Sequence, residues 1–158
     1  MRSLRRRRFL GTLAVPLGLV ASSRQTFAVA TDPQPAPADA IAVVERFLLS
    51  WSTRDMKEVL SHLTDDCECR LTQFAPVVHG HLAIAEQIAI YVERPQSIVT
   101  DIFDTHAAGP LVTSHYRDRY RYEHGELAWE GVGTFFVRDG KIREMRTYTV
   151  RVGSHVLS

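Results

Sequence analysis

The chain has 158 residues, with 19 Lys and Arg against 18 Asp and Glu, a net charge of +1. Six of the arginines and none of the acids fall in residues 1–30, so residues 31–158 hold 13 basic and 18 acidic residues, a net charge of −5. A mildly acidic domain excludes nucleic-acid binding, because the phosphate backbone demands the opposite sign. Behind the N-terminal segment about 120 residues remain, enough for one small domain around one core. No internal repeat is present.

The N-terminus reads as a signal peptide. Arg5-Arg6-Arg7-Arg8 leads into an apolar run, Phe9 to Ala21, and Ala28-Val29-Ala30 supplies a small-residue cleavage site. The apolar run is too short to span a bilayer stably, and Pro16 and two glycines interrupt it. The run Arg6, Arg7, Arg8, Phe9, Leu10 resembles a twin-arginine signal. That resemblance implies a periplasmic or secreted protein that meets the membrane only transiently and is cut after Ala30. Residues 31–38 (TDPQPAPA) read as an extended Pro/Ala linker, and the folded domain is expected over 39–158.

A first helix is predicted from Ala40 to Trp51, capped by Asp39, with Val43, Val44, Phe47, Leu48 and Trp51 on one apolar stripe. A second runs from about Asp55 to Leu63 and ends at Thr64-Asp65-Asp66. Cys67 to Thr72 reads as a short strand. On a strand Cys67 and Cys69 point the same way, a poor geometry for bridging each other. With His79 and His81 they lack the usual zinc-ligand spacing, so no metal is expected. A third helix, Leu82 to Val92, stops before Pro95. Four strands then follow: Ser97 to Ala107, Leu111 to Tyr122, Leu127 to Val137 and Lys141 to Val152, joined at Gly109-Pro110, His124-Gly125 and Asp139-Gly140. Three helices before a meander predict an α+β domain, the helices packed on one face of a curved antiparallel sheet.

The strand Leu111–Tyr122 (LVTSHYRDRYRY) carries the candidate chemistry. Alternate side chains point to opposite faces. One face holds Val112, Ser114, Tyr116, Asp118, Tyr120 and Tyr122; the other holds Thr113, His115, Arg117, Arg119 and Arg121, a solvated basic row. A lone Asp among tyrosines either acquires a raised pKa, as general acids and bases do, or serves as a structural acceptor for a neighbouring phenol. A two-residue turn at His124-Gly125 sets Tyr120 opposite Trp129, Asp118 opposite Gly131, Tyr116 opposite Gly133 and Arg119 opposite Glu130. The two glycines then leave empty volume beside Asp118 and Tyr116. A three-residue turn with a bulge at Asp139-Gly140 turns Met145, Thr147 and Thr149 inward and lines up Asp118, Gly131 and Thr147.

Several local signatures complete the picture: Thr64-Asp65-Asp66, Pro76-Val77-Val78-His79-Gly80, and the run Gly133 to Ile142 (GTFFVRDGKI). With the element order, they resemble the nuclear transport factor 2-like superfamily of cone-shaped α+β domains, which includes SnoaL-like cyclases, ketosteroid isomerases and limonene-1,2-epoxide hydrolases. The resemblance covers most of residues 38–152. The segment Leu111 to Asp118 is similar to the epoxide hydrolase pattern L-V-x-T-E-R-x-D, and Met145-Arg146-Thr147-Tyr148 to its W-R-D-Y. It implies that Asp118 matches the water-activating Asp, while Tyr116 stands where that branch has Arg and Thr147 where it has a second Asp.

The resemblance implies a small-molecule enzyme with Asp118 as acid/base, Tyr116 and Thr147 as its catalytic partners, and no cofactor. Tyr120, Trp129, Gly131, Gly133, Phe47, Trp51, Phe74 and Met145 are the expected substrate contacts. The substrate class is apolar and modest in size: an epoxide, a terpenoid or a polyketide. The alternatives are a SnoaL-like polyketide cyclase or isomerase, for which one Asp in an apolar pocket suffices, and a non-catalytic ligand-binding domain. A homodimer through the outer sheet face is also implied.

Overall fold

The computed structural model describes residues 36–156, with side chains to Gly153. The signal peptide, its cleavage site and most of the 31–38 linker lie outside the described residues. Helix α1 spans Pro37–Ser50, starting inside the expected linker. Pro37 explains the early start: its fixed φ suits the first helical turn, where its missing N–H removes nothing. Asp39 therefore sits within the first turn, against the positive end of the helix dipole, rather than capping it. Ala40, Val43, Val44, Phe47 and Leu48 form the buried stripe. A 3-10 turn at Trp51–Thr53 follows, and Arg54 in the left-handed region (φ 59°) stops it.

Helix α2, Met56–Ser61, is shorter than expected, and Asp55 caps it by accepting from the Lys57 N–H at 2.9 Å. Thr64-Asp65-Asp66 does not end this helix. It lies in strand β1, Leu63–Arg70, which begins four residues earlier than the sequence suggests. A two-residue strand β2, Val78–His79, pairs antiparallel with β1, and α3 spans Gly80–Val92. The four long strands are β3 (Ser97–Ala108), β4 (Leu111–Tyr122), β5 (Gly125–Arg138) and β6 (Lys141–Val156).

The α+β architecture is as expected, but the sheet is mixed rather than antiparallel. Its order is β2-β1-β6-β5-β4-β3, and β1 runs parallel to β6. The β3–β6 meander is written in local turns. The β1–β6 contact joins residues 76 to 79 apart, and no turn announces it. Bulges interrupt the ladders: one residue is extra at Phe103 on β3, one at Arg143 and one at Val152 on β6, and the β1–β6 register shifts between Leu63 and Glu68. The core fills the concavity, with Phe47 edge-on to Trp51 and Phe135 at 6.1 Å each.

Two hairpin registers differ from expectation. The β4–β5 loop is Glu123-His124, so Tyr122 pairs with Gly125, Tyr120 with Leu127, Asp118 with Trp129, Tyr116 with Gly131 and Ser114 with Gly133. The expected register would have set Glu123 against Glu126; the observed one sets Arg121 against Glu126 and Arg117, not Arg119, against Glu130. The slip is two residues, so every side chain keeps its face. At the β5–β6 hairpin, Asp139 (φ 52°) and Gly140 (φ 73°) make a tight two-residue turn of the type that needs two positive φ values. The bulge at Arg143 then restores Met145 and Thr147 to the inner face. Those two residues point inward as expected, through a different device. Thr147 pairs with Gly133, and Asp118 with Trp129, so they lie in different rows.

Candidate active site

The inner face of the sheet and the helices above it enclose a cavity. From α1 and the 3-10 turn come Phe47, Leu48 and Trp51; Leu71 and Thr72 come from the segment after β1, and Tyr91 from α3. The sheet supplies Tyr116, Asp118 and Tyr120 from β4, Trp129 from β5, and Met145, Thr147 and Thr149 from β6. Among the described residues, Asp118 is the only carboxylate in this wall, and no Lys, Arg or His lines it.

Alternation along β4 puts the Asp118 carboxylate among tyrosines, as the sequence indicated. The Thr100 hydroxyl donates to its Oδ1 at 2.7 Å, and the Tyr120 phenol donates to its Oδ2 at 3.3 Å. Enclosure by protein pushes the carboxyl up to about 6. The two hydroxyl donors pull the other way, and the negative Asp101 adds a small upward push. Desolvation wins because neutral hydroxyls replace only part of the hydration that a carboxylate loses. The side chain is half-buried and lines the cavity.

Tyr116 is buried, and burial raises its phenol, with the charge of Asp118 adding to the effect. Its proton therefore stays on at any physiological pH, and Tyr116 is a neutral donor. Tyr120 is raised for the same reasons, and its proton already serves Asp118. The Thr147 hydroxyl donates to the Leu71 carbonyl, tying β6 to the segment that leaves β1. Thr147 thus lines the cavity with its proton committed.

The structure brings eight of the expected site residues together: Asp118, Tyr116, Thr147, Tyr120, Trp129, Phe47, Trp51 and Met145. Phe74 is not among them; it is 89% exposed on the loop after β1. Gly131 and Gly133 open no space. A Cβ on Gly133 would lie 2.5 Å from the Phe135 ring and 3.3 Å from Tyr116, and one on Gly131 would strike the Tyr148 carbonyl and Thr149. These glycines are required by close packing, not by a ligand. Sequence reasoning missed Thr100, Leu71, Thr72 and Tyr91, and it turned Leu48 and Thr149 inward without assigning them to the site.

Two indole groups stand out in the wall. Trp51 Nε1 and Trp129 Nε1 are buried, and no protein acceptor takes either N–H among the described residues. The two cysteines are buried free thiols with side chains on the same face of β1, as expected. Burial pushes both up to about 12, which leaves them unreactive.

Residues 44–145 match the SnoaL-like domain. The chain belongs to that family. Among solved structures, the SnoaL-like fold here is similar to an LEH-like epoxide hydrolase from M. tuberculosis, at 24% identity and a TM-score of 0.64, covering 73% of this chain and 86% of that one. It is also similar to a protein from Jannaschia sp. CCS1 assigned to the SnoaL-like polyketide cyclases, at 15% identity and a TM-score of 0.62, covering 75% and 90%. At these identities the two likenesses establish the α+β cone fold. No curated protein matches the chain in sequence.

Proposed function

We propose that this SnoaL-like domain is a small-molecule enzyme that uses Asp118 as its single acid/base, in the manner of epoxide hydrolases of the limonene-1,2-epoxide type. One observation carries the reading: a carboxyl pushed up to about 6 faces an apolar cavity, with a hydroxyl on each oxygen and no cation in the wall. A purely structural carboxylate is more often held low by its partners.

The reaction follows from the geometry. Ionised Asp118 takes a proton from a water in the cavity as the water oxygen bonds to an epoxide carbon. The C–O bond of the ring breaks, and Tyr116 donates a hydrogen bond to the oxygen that gains charge. That oxygen finally takes the proton from Asp118, and the net product is a diol. Thr100 and Tyr120 hold the carboxylate still. The apolar wall of Phe47, Leu48, Trp51 and Met145 selects an apolar substrate of modest size.

A second reading rests on the lone carboxylate itself. A polyketide cyclase or isomerase needs one group that removes and returns a proton, and Asp118 supplies that without a second acid. Turnover of a small epoxide panel by the protein, beside Asp118→Asn, separates the two. Diol formed by the parent and lost in the variant supports the hydrolase. Silence on every epoxide transfers the weight to proton transfer within a polyketide-type substrate, or to ligand binding without chemistry.

Two further proposals belong here. Residues 1–30 act as a twin-arginine-type export signal, cut after Ala30; N-terminal sequencing of the exported protein checks this. The outer sheet face carries exposed Val99, Phe103, Val132, Phe136, Tyr148 and Val150 around the Arg117–Glu130 ion pair. So large an apolar surface suits a homodimer, and sedimentation tests it.

A further inference from the structure

We propose that the segment 71–76 is the door through which ligand enters the cavity, and that the Gln73 side chain is its latch. The proposal rests on the reading above only in taking this cavity as the substrate site. Among the described residues that line the cavity, Leu71 and Thr72 alone lie outside helical and strand backbone. β1 ends at Arg70, paired with Arg146, while β6 runs on to Val156. Past Arg70 the pairing keeps the same sequence offset and changes its chemistry. The Thr147 hydroxyl donates to the Leu71 carbonyl. The Gln73 carboxamide donates to the Thr149 carbonyl at 3.0 Å and accepts from the Thr149 N–H at 3.1 Å. One side-chain amide thus stands where the next peptide group of β1 would have paired.

A ladder peptide is released only by unravelling its strand, whereas a side chain lets go by changing rotamer. Side chains fasten the segment on both sides. Gln73 and Thr147 hold it to β6, and the Gln87 carboxamide on α3 donates to the Pro76 carbonyl at 3.1 Å. Inside the segment Thr72 closes its own turn. Its carbonyl accepts from the Ala75 N–H at 3.1 Å, and its hydroxyl oxygen accepts from the N–H groups of Phe74 and Ala75 at 3.3 and 3.1 Å. The turn therefore moves as one piece, and Phe74 at its tip is exposed rather than packed. Segments with few buried contacts open at low free energy, and the covers of binding sites are drawn from them. Thr149, the partner of Gln73, is itself a wall residue, so release of the latch opens a seam between Thr72 and Thr149.

The chain contains two tryptophans, Trp51 and Trp129, and both line the cavity. Quenching of the intrinsic fluorescence by acrylamide, which is small and uncharged, therefore reads access to it. Gln73→Met keeps the length of the side chain and loses both bonds. We expect it to raise the bimolecular quenching constant about fivefold, with the far-UV spectrum unchanged. Gln73→Glu carries the test within one protein. At pH 8 its carboxylate repels the Thr149 carbonyl, and quenching should match that of Gln73→Met. At pH 4 the protonated acid donates to the carbonyl and accepts from the N–H, and quenching should return to within about twofold of the parent at that pH. Val59→Ala truncates the core on α2, outside the segment and the cavity wall, and should loosen the fold without raising quenching. Quenching unchanged in Gln73→Met, equal at both pH values in Gln73→Glu, or raised as much by Val59→Ala overturns the proposal. Should Gln73→Met not fold, the two pH values of Gln73→Glu decide. Diol formation that depends on Asp118, with quenching unmoved in the Gln73 variants, overturns this inference and spares the acid/base reading. Raised quenching in those variants, with no epoxide turned over by the parent, supports the door and counts against the hydrolase.

Discussion

Thr100 on β3 donates its hydroxyl to Asp118 on β4 at 2.7 Å, and it stands there because of one extra residue. From the Gly109-Pro110 turn, an unbroken hairpin would set Asp101 opposite Asp118. The bulge at Phe103 advances β3 by one, so that Thr100 takes the place and Asp101 turns to the outer face, where it pairs with Arg119 at 3.1 Å. A second carboxylate in the cavity is thereby exchanged for a hydrogen-bond donor. Thr100→Val keeps the shape and removes that donor. The carboxylate loses a stabilising partner, so the rising limb of the pH–rate profile should move to higher pH. A limb that stays near 6 in the variant would show that Thr100 does not tune Asp118.

Asp118→Asn should lower kcat by about 10² to 10⁴, the usual contribution of a general base. In the parent, activity should climb as pH rises through about 6, because the base acts as the anion. Steady-state rates from pH 4.5 to 8 on any substrate found test both statements.

The same residue fixes a stability trend. The folded carboxyl lies near 6, above its ordinary value of 3.8 in an unfolded chain, so the fold prefers the protonated form. The stability that this group contributes is fully present below about pH 4 and is lost as pH rises through about 6. Asn carries no charge, so Asp118→Asn should flatten this slope and leave the variant more stable at pH 7 by about 2 kcal/mol. Calorimetric melting at pH 4, 5, 6 and 7 reads it; parallel pH curves for the two proteins would refute the raised carboxyl.

Gly133→Ala should destabilise the fold by about 1–3 kcal/mol, the cost of overpacking a filled core. The added Cβ meets the Phe135 ring at 2.5 Å, and Phe135 is fully buried with Phe47 behind it. Urea unfolding measures the loss. A neutral result would revive the empty space that the sequence suggested beside Tyr116.

Phe74→Ser should change kcat/KM by less than about twofold and stability by less than about 0.5 kcal/mol, since the ring is 89% exposed and outside the cavity wall. A tenfold loss of kcat/KM would place this ring over the mouth during turnover.

The sequence by itself determined the faces. The alternation of β4 sorted Tyr116, Asp118 and Tyr120 inward and the arginines outward. That sorting survived a two-residue error in register, because side-chain direction repeats every two residues. The helical stripe from Val43 to Trp51 and the buried cysteine pair were legible for the same reason: each depends on neighbours in the chain. Only the tertiary structure decided what stands beside what. The bulges and the parallel β1–β6 pair depend on contacts between separate segments, and no local pattern encodes them. Those contacts gave Asp118 a threonine instead of a second acid and committed the Thr147 proton to a backbone carbonyl.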